Sequence, residues 1–212
     1  MRCAILVLIL FCALPGAVVL DRIAVVVGKR VVKESDIERD LPLTEFLNGQ
    51  PLDLSPAAKR QAAERLIDQE VIRQEIATGN YQRPADTDAS ELLDRLRRDR
   101  FGGTDSRLRE ALARYGLTEA GLHKELLWQL TVLRFIDQRF RLGVLITDED
   151  VRTYYEQHAA QLRRQYPNDN FDALASKIKS TLEGERINQN FNEWLAEARK
   201  NIRIEYKQEA FQ

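Results

Sequence analysis

Two β-branched runs near the start of the chain limit its fold more than any other feature. They occupy residues 22–27 and 30–33 and are separated only by Gly28 and Lys29. Glycine tolerates the positive φ that the first position of a type II′ turn requires, so this segment predicts a β-hairpin. A two-stranded hairpin alone is at best marginally stable in water. The rest of the chain must therefore supply a further strand or a packed helix.

One other segment has the pattern of a strand, and it lies near the far end of the chain. In residues 202–206, Ile202, Ile204 and Tyr206 alternate with polar residues. This period of two is typical of a strand with one buried face. We expect this strand to pair with the hairpin and to bring the two ends of residues 21–212 together.

The residues between these strands predict helices. Apolar residues at helical spacing, N-cap residues and terminal glycines predict helices over 35–46, 55–79, 88–101, 105–115, 118–141, 147–162 and 171–200. Ser35 and Glu38 match the capping box that begins a helix. The predicted fold is mainly α: a multi-helix core with a small β-sheet formed by an N-terminal hairpin and a C-terminal strand.

Residues 86–116 are a candidate helical arm within this core. Gly102, Gly103 and Gly116 interrupt the helical pattern there. They fit either hinges of the arm or ordinary helix ends.

Residues 1–20 have the layout of a secretory signal peptide. Arg2 precedes an apolar run from Cys3 to Leu14, and Pro15 to Ala17 follow it. The run is shorter than the roughly 20 apolar residues of a membrane-spanning helix. We therefore predict cleavage near Ala17 and export of the chain, with an uncleaved membrane anchor as the alternative.

Cysteine content and charge exclude several classes of function. Cys3 and Cys12 are the two cysteines, and both lie in the leader. Residues 21–212 therefore have no disulfide, thiol nucleophile or cysteine metal site. The chain has 32 Lys and Arg against 33 Asp and Glu. This balance argues against a nucleic-acid partner, because such binding needs a basic face.

Motifs of catalysis are missing from the sequence. His123 and His158 are the two histidines, and neither has the spacing of a helical metal pair. The carboxylates near residues 86–91 and 148–150 fit helix starts, where they complement the helix dipole. No glycine-bearing calcium loop frames them. The sequence predicts no catalytic residue, no metal and no cofactor, and so no enzyme.

Aromatic side chains on several predicted helices are the candidate binding residues. Most aromatic residues of a folded chain belong to its core. An open helical shape, however, exposes some of them, and large exposed apolar patches usually mark binding sites. The candidates for contacting a bound polypeptide are Phe46, Tyr81, Phe101, Tyr115, Trp128, Tyr154 and Tyr155.

Five stretches of the chain resemble, in order, the SurA family of periplasmic chaperones. The opening of mature family members is similar to DRIAVVVGKRVVKESDIERDL, with Gly28 where the family often has Asn. The later helices and the closing strand of the family are similar to AAERLIDQEVIRQEIATGNY, ALARYGLTEAGLHKELLWQLTVLRFID, GVLITDEDVRTYYEQH and INQNFNEWLAEARKNIRIEY. The resemblance covers nearly all of residues 21–212.

One departure from the family limits what the resemblance implies. Longer members carry parvulin-type prolyl isomerase modules between the helix with the Tyr-Tyr pair and the closing helix. Residues 158–170 leave no room for such a module. The resemblance implies the chaperone core alone, an ATP-independent periplasmic holdase that binds unfolded polypeptides such as outer-membrane protein precursors.

Two alternatives to the holdase stay open at this stage. One is a member of the peptidyl-prolyl isomerase family, either an isomerase itself or a chaperone arm for a separate isomerase. The other is a membrane-tethered, foldase-like assembly factor that acts with a partner and keeps its leader.

Overall fold

The sheet of the computed structural model, which describes residues 21–211, joins the two ends of these residues as predicted. Strands β1 (Ile23–Val27), β2 (Arg30–Lys33) and β3 (Ile204–Tyr206) form an antiparallel sheet in the order β2-β1-β3. Gly28 turns the hairpin with φ +60°, in keeping with the predicted type II′ turn. The predicted leader, residues 1–20, lies outside the described residues.

Eight helices of the described part contribute to a structure that is 73% helical, which confirms the mainly α prediction. Their bounds are α1 Glu34–Asn48, α2 Pro56–Thr78, α3 Asp86–Phe101, α4 Asp105–Arg114, α5 Glu119–Phe140, α6 Asp148–Gln157, α7 Ala159–Gln165 and α8 Phe171–Lys200. Short 3-10 turns occupy Arg141–Gly143 and Gln208–Phe211.

The predicted start of α1 is wrong by one residue, and Ser35 is not its N-cap. Strand β2 leads directly into α1, which begins at Glu34. The Asp36 carboxylate accepts a hydrogen bond from the backbone N–H of Lys33 at 3.0 Å. The Ser35 hydroxyl instead donates to Asp21 at 2.7 Å. The long-range partner Asp21 therefore takes the hydroxyl that the local pattern assigns to the cap.

The helix predicted over 147–162 is two helices. Helix α6 ends at Gln157, and α7 begins after His158, whose backbone is not helical. The His158 Nδ1 atom lies 2.9 Å from the Tyr154 carbonyl oxygen, and the two rings stack with centroids 4.0 Å apart. The Tyr154 carbonyl oxygen at the break between the helices thus has the His158 ring as a local polar partner.

The core beneath the sheet includes a segment that the sequence analysis did not anticipate. Val25 and Val27 of β1 pack with α1, α2 and the end of the chain. Ala210 and Phe211 of the last 3-10 turn belong to this cluster, and Phe211 is only 3% exposed. The C-terminal segment is therefore part of the core.

The region 86–116 packs against the rest of the chain through an apolar cluster of its own. Helix α3 packs along α5, and α4 packs on α3. Leu93, Leu108 and Leu122 are buried in this cluster. Gly102 ends α3 with a φ of +62°, a conformation that glycine adopts without steric cost.

Polar contacts lock β3 and α8 to α2. The Arg199 guanidinium bonds to the carboxylates of Asp68 and Glu64, the latter at 2.6 Å. The Tyr206 hydroxyl donates to Glu64 at 2.6 Å. Burial and this hydrogen bond raise the pKa of Tyr206 to about 12. Burial opposes ionisation of Glu64, but the bonds from Tyr206 and Arg199 outweigh it and lower the pKa of Glu64.

Candidate functional site

Three of the predicted binding aromatics pack on one another. Phe46 stacks on Phe101 with ring centroids 6.0 Å apart and meets the Tyr115 ring edge-on at 5.7 Å. Phe46 is only 3% exposed. Its ring packs in the core, and its role as a binding residue stays a prediction. Phe101 and Tyr115 are half-buried at the margin of this cluster.

Tyr81 is also engaged within the chain. Its hydroxyl donates to Glu75 at 3.0 Å and accepts a hydrogen bond from Arg139 at 2.8 Å. Its ring meets Phe135 edge-on at 4.9 Å. Tyr81 is half-buried, and its hydroxyl and ring both have partners within the chain, so little of its surface is free to bind another polypeptide.

The Tyr-Tyr pair of α6 is half-buried as well. Tyr154 stacks on His158, and Tyr155 meets Phe171 edge-on at 5.3 Å. Both belong to the cluster between α6 and α8. Their role in polypeptide binding stays a prediction.

Trp128, the remaining candidate, lines an open groove between helices. Helix α1 packs on α2, whereas α5 packs on α3 and α8. A gap remains between the α1–α2 pair and α5. Two adjoining hollows of about 440 and 450 Å³ lie in this gap. We call it the α5 groove; both hollows are lined by Asp40, Leu43, Gln69, Glu125 and Trp128.

The apolar lining of the α5 groove follows from helical spacing. Leu43 and Leu47 are four residues apart on α1, and Trp128 and Val132 are four apart on α5, so each pair shares one helix face. Leu133 adds an exposed side chain to the α5 wall, with 61% of its surface accessible. The second hollow reaches Val31 and Val32 of β2, and so ends at an edge strand of the sheet.

Charged side chains of the groove are mostly paired. Asp40 bonds to Arg65 at 2.6 Å. The Arg73 guanidinium lies 4.6 Å from the centroid of the Trp128 ring, as in a cation–π contact. Arg73 also donates to Gln69 at 2.9 Å. These contacts hold Trp128 and the α1–α2 wall in place.

Glu125 is the exception among the shared lining residues. It is half-buried, and the polar contact shown for it is the Gln129 amide, which donates at 3.2 Å. Burial raises the pKa of Glu125, the charge of Asp40 raises it further, and Arg73 lowers it in part. The groove thus contains a carboxylate whose ionisation is opposed by its burial.

Apart from Trp128, the residues that line the groove, including Glu125, were not predicted from the sequence. The apolar stripe of α5 predicts a buried face that includes Leu133. In the structure Leu122 and Leu126 are buried, whereas Leu133 faces the groove. Helical period alone cannot tell which part of a stripe a neighbouring helix will cover.

A second polar cluster resembles a catalytic triad only in its residue types. Ser90 Oγ lies 3.1 Å from His123 Nε2, and Asp86 Oδ2 lies 3.8 Å from the same nitrogen. In a working triad the carboxylate binds the other ring nitrogen and so orients the imidazole. This geometry does not activate Ser90 as a nucleophile.

Neither a candidate metal cluster nor a membrane-spanning helix is found in the part of the chain that the structure describes. Within residues 21–211, no group of three or more His, Cys, Asp or Glu side chains is arranged to hold a metal ion. Among the helices of the same residues, none has the length and apolar character to span a bilayer.

Comparison with known proteins assigns no family. No protein-family model matches the chain, and no curated protein has a significantly similar sequence. The α5 groove is thus the feature on which a functional argument rests.

Proposed function

We propose that this protein is an ATP-independent holdase chaperone that binds unfolded polypeptides in the periplasm, including precursors of outer-membrane proteins. The α5 groove is the observation that carries the proposal. Each of its hollows falls within the range of about 300 to 1,000 Å³ that is usual for ligand sites. Its walls combine apolar side chains such as Leu43, Trp128 and Val132 with charged ones, and it is open to solvent along α5.

Binding in such a groove is driven by apolar burial. Each large side chain of a client that leaves water contributes about 1.5–3 kcal/mol before the entropy cost of ordering the chain. Client aromatics fit well, because ring–ring contacts with Trp128 add to burial. The groove ends at β2, so an extended client also has backbone groups of an edge strand within reach.

The proposal includes no catalysis by the chain itself. Only residues 166–170 separate α7 from α8, so the position at which the resembling family carries isomerase modules holds a short turn. A prolyl isomerisation assay on a proline-containing peptide, without coupled protease, tests this part. A rate above background assigns the chain to the isomerase class instead.

Aggregation of a diluted β-barrel protein tests the holdase directly. An unfolded outer-membrane β-barrel protein is diluted from urea into buffer with and without the purified chain, and light scattering is followed without ATP. The proposal expects suppression at near-stoichiometric amounts of chain. Unchanged scattering, with the chain folded by circular dichroism, contradicts it.

A matched pair of variants locates the activity in the groove. Leu133→Ser removes an exposed apolar side chain from the α5 wall, and Leu142→Ser removes one that is 93% exposed outside the groove. Loss of partial Leu burial, about 1 kcal/mol, weakens client affinity roughly fivefold. Leu142→Ser should leave affinity unchanged. Equal effects of the two variants exclude the groove as the client site.

A further inference from the structure

Glu125 stands apart from the other carboxylates of the α5 groove. Each of the others has a cationic partner within the chain: Asp36 with Arg39, Asp40 with Arg65, Asp68 with Arg199, and Glu70 with Arg30 and Arg73. Within residues 21–211, no ion pair involves Glu125. Its one bonded neighbour is the neutral amide of Gln129.

Because Glu125 is half-buried, the absence of an ion-pair partner makes its ionised form less stable. The side chain lies in the wall shared by both hollows, beside Leu43 and Trp128. A half-buried carboxylate loses hydration, and without an ion pair it recovers only part of that free energy. Arg73, the cation on the facing wall, is occupied by Glu70, Gln69 and the Trp128 ring. A cation supplied from outside the chain would remove this cost.

We propose that the α5 groove selects unfolded segments in which a lysine or arginine stands beside large apolar residues. The cation pairs with Glu125, and its apolar neighbours pack on Leu43, Trp128 and Val132. This inference rests on the proposed client-binding function and names the side chains that the groove prefers.

Charge complementarity favours a basic segment over an acidic one. Lys124 lines the same groove, but its side chain is exposed and well hydrated. Ion pairs of exposed lysines contribute little because water and salt screen them. Charge-assisted hydrogen bonds to a partly desolvated carboxylate are about twice as strong as neutral ones. We therefore expect Glu125, rather than Lys124, to determine the charge of the segments that the groove binds.

Three capped peptides test the preference on the full chain. They share a phenylalanine on each side of a central residue, which is arginine, citrulline or glutamate. Citrulline has nearly the shape of arginine without its charge. Fluorescence anisotropy of labelled peptides at neutral pH and low salt gives the dissociation constants. The arginine peptide should bind about tenfold more tightly than the citrulline peptide, and the glutamate peptide most weakly.

Two adjacent substitutions assign the effect to one residue. Glu125→Gln keeps the shape of the side chain and should abolish the advantage of arginine while leaving the citrulline peptide unaffected. Lys124→Gln is the matched control and should leave the arginine-to-citrulline ratio unchanged. Urea denaturation of both variants verifies that they fold, so a lost preference is not a lost structure.

The possible outcomes distinguish a failure of this inference from a failure of the proposed holdase function. Equal binding of the arginine and citrulline peptides, or an advantage that survives Glu125→Gln, overturns the inference and leaves the holdase standing. Tighter binding of the glutamate peptide also overturns it and shifts the selectivity to Lys124. If no peptide binds and client aggregation is unaffected, the proposed function fails together with the inference.

Discussion

Phe211 provides a quantitative test of the C-terminal segment as part of the core. Its side chain is only 3% exposed and packs in the cluster beneath the sheet. The Arg60 guanidinium lies 5.5 Å from the centroid of its ring. The backbone N–H of Lys207 donates to the Ala24 carbonyl at 2.8 Å and leads the segment onto β1. Phe211→Ala removes the ring and leaves this backbone bond available.

The expected cost follows from burial and from the terminal position. Full burial of a phenylalanine contributes about 1.5–3 kcal/mol, and the cavity left by truncation raises typical losses to about 3–5 kcal/mol. A terminal segment can detach locally, so the loss cannot exceed the free energy that docks it. We expect Phe211→Ala to lower the free energy of unfolding by about 2–3 kcal/mol.

Urea denaturation followed by circular dichroism measures this loss. Hydrogen exchange adds a local readout, because the Lys207 amide should lose protection if the segment detaches. Leu142→Ala, at a position that is 93% exposed, is the control and should change the free energy by less than about 0.5 kcal/mol. A Phe211→Ala effect as small as that of the control would refute the assignment of this segment to the core.

Three further predictions concern titration and processing. The folded-state pKa of Tyr206 is raised to about 12. Its contribution to the free energy of unfolding is therefore complete below pH 10 and is lost as the pH rises towards 12. Tyr206→Phe should lower the free energy of unfolding at neutral pH by about 1 kcal/mol. In urea denaturation, the difference from the wild-type chain should vanish as pH rises from 10 to 12. A difference that persists at pH 12 contradicts the hydrogen bond to Glu64. The folded-state pKa of Glu125 is raised, so the fold favours its protonated form. Glu125→Gln should therefore stabilise the chain at neutral pH by up to about 1 kcal/mol, with the gain fading as pH falls; destabilisation at neutral pH contradicts it. Mass spectrometry of the exported chain should show a start between Val18 and Asp21, whereas a full-length mass supports the anchored alternative.

Local patterns sufficed for most elements of the fold. The turn at Gly28 and the apolar period of α8 depend on neighbours within a few residues, so both were predicted correctly. Errors arose where a distant group competed with a local one. Asp21 captures the Ser35 hydroxyl from across the hairpin, and His158 interrupts a helix whose sequence pattern continues through it.

The candidate site was only partly accessible from the sequence. Trp128 was chosen for its residue type and does line the α5 groove, whereas Phe46, chosen for the same reason, is core. Both are aromatic residues on amphipathic helices, so nothing in their local sequence separates them. Glu125 had no recognisable motif, because its significance lies in the absence of an ion-pair partner among the described residues.

The sequence by itself determined the order of the strands and helices, since dihedral preferences, caps and hydrophobic periods are local properties. It also indicated that residues 202–206 pair with the hairpin, because only one distant segment had the period of a matching strand. The structure decides that the partner strand is β1. The tertiary structure alone decided that α5 packs on α3 and α8 and leaves a groove between itself and the α1–α2 pair. That choice depends on the fit of side chains from many distant positions, and it decides which apolar residues become core and which line the groove.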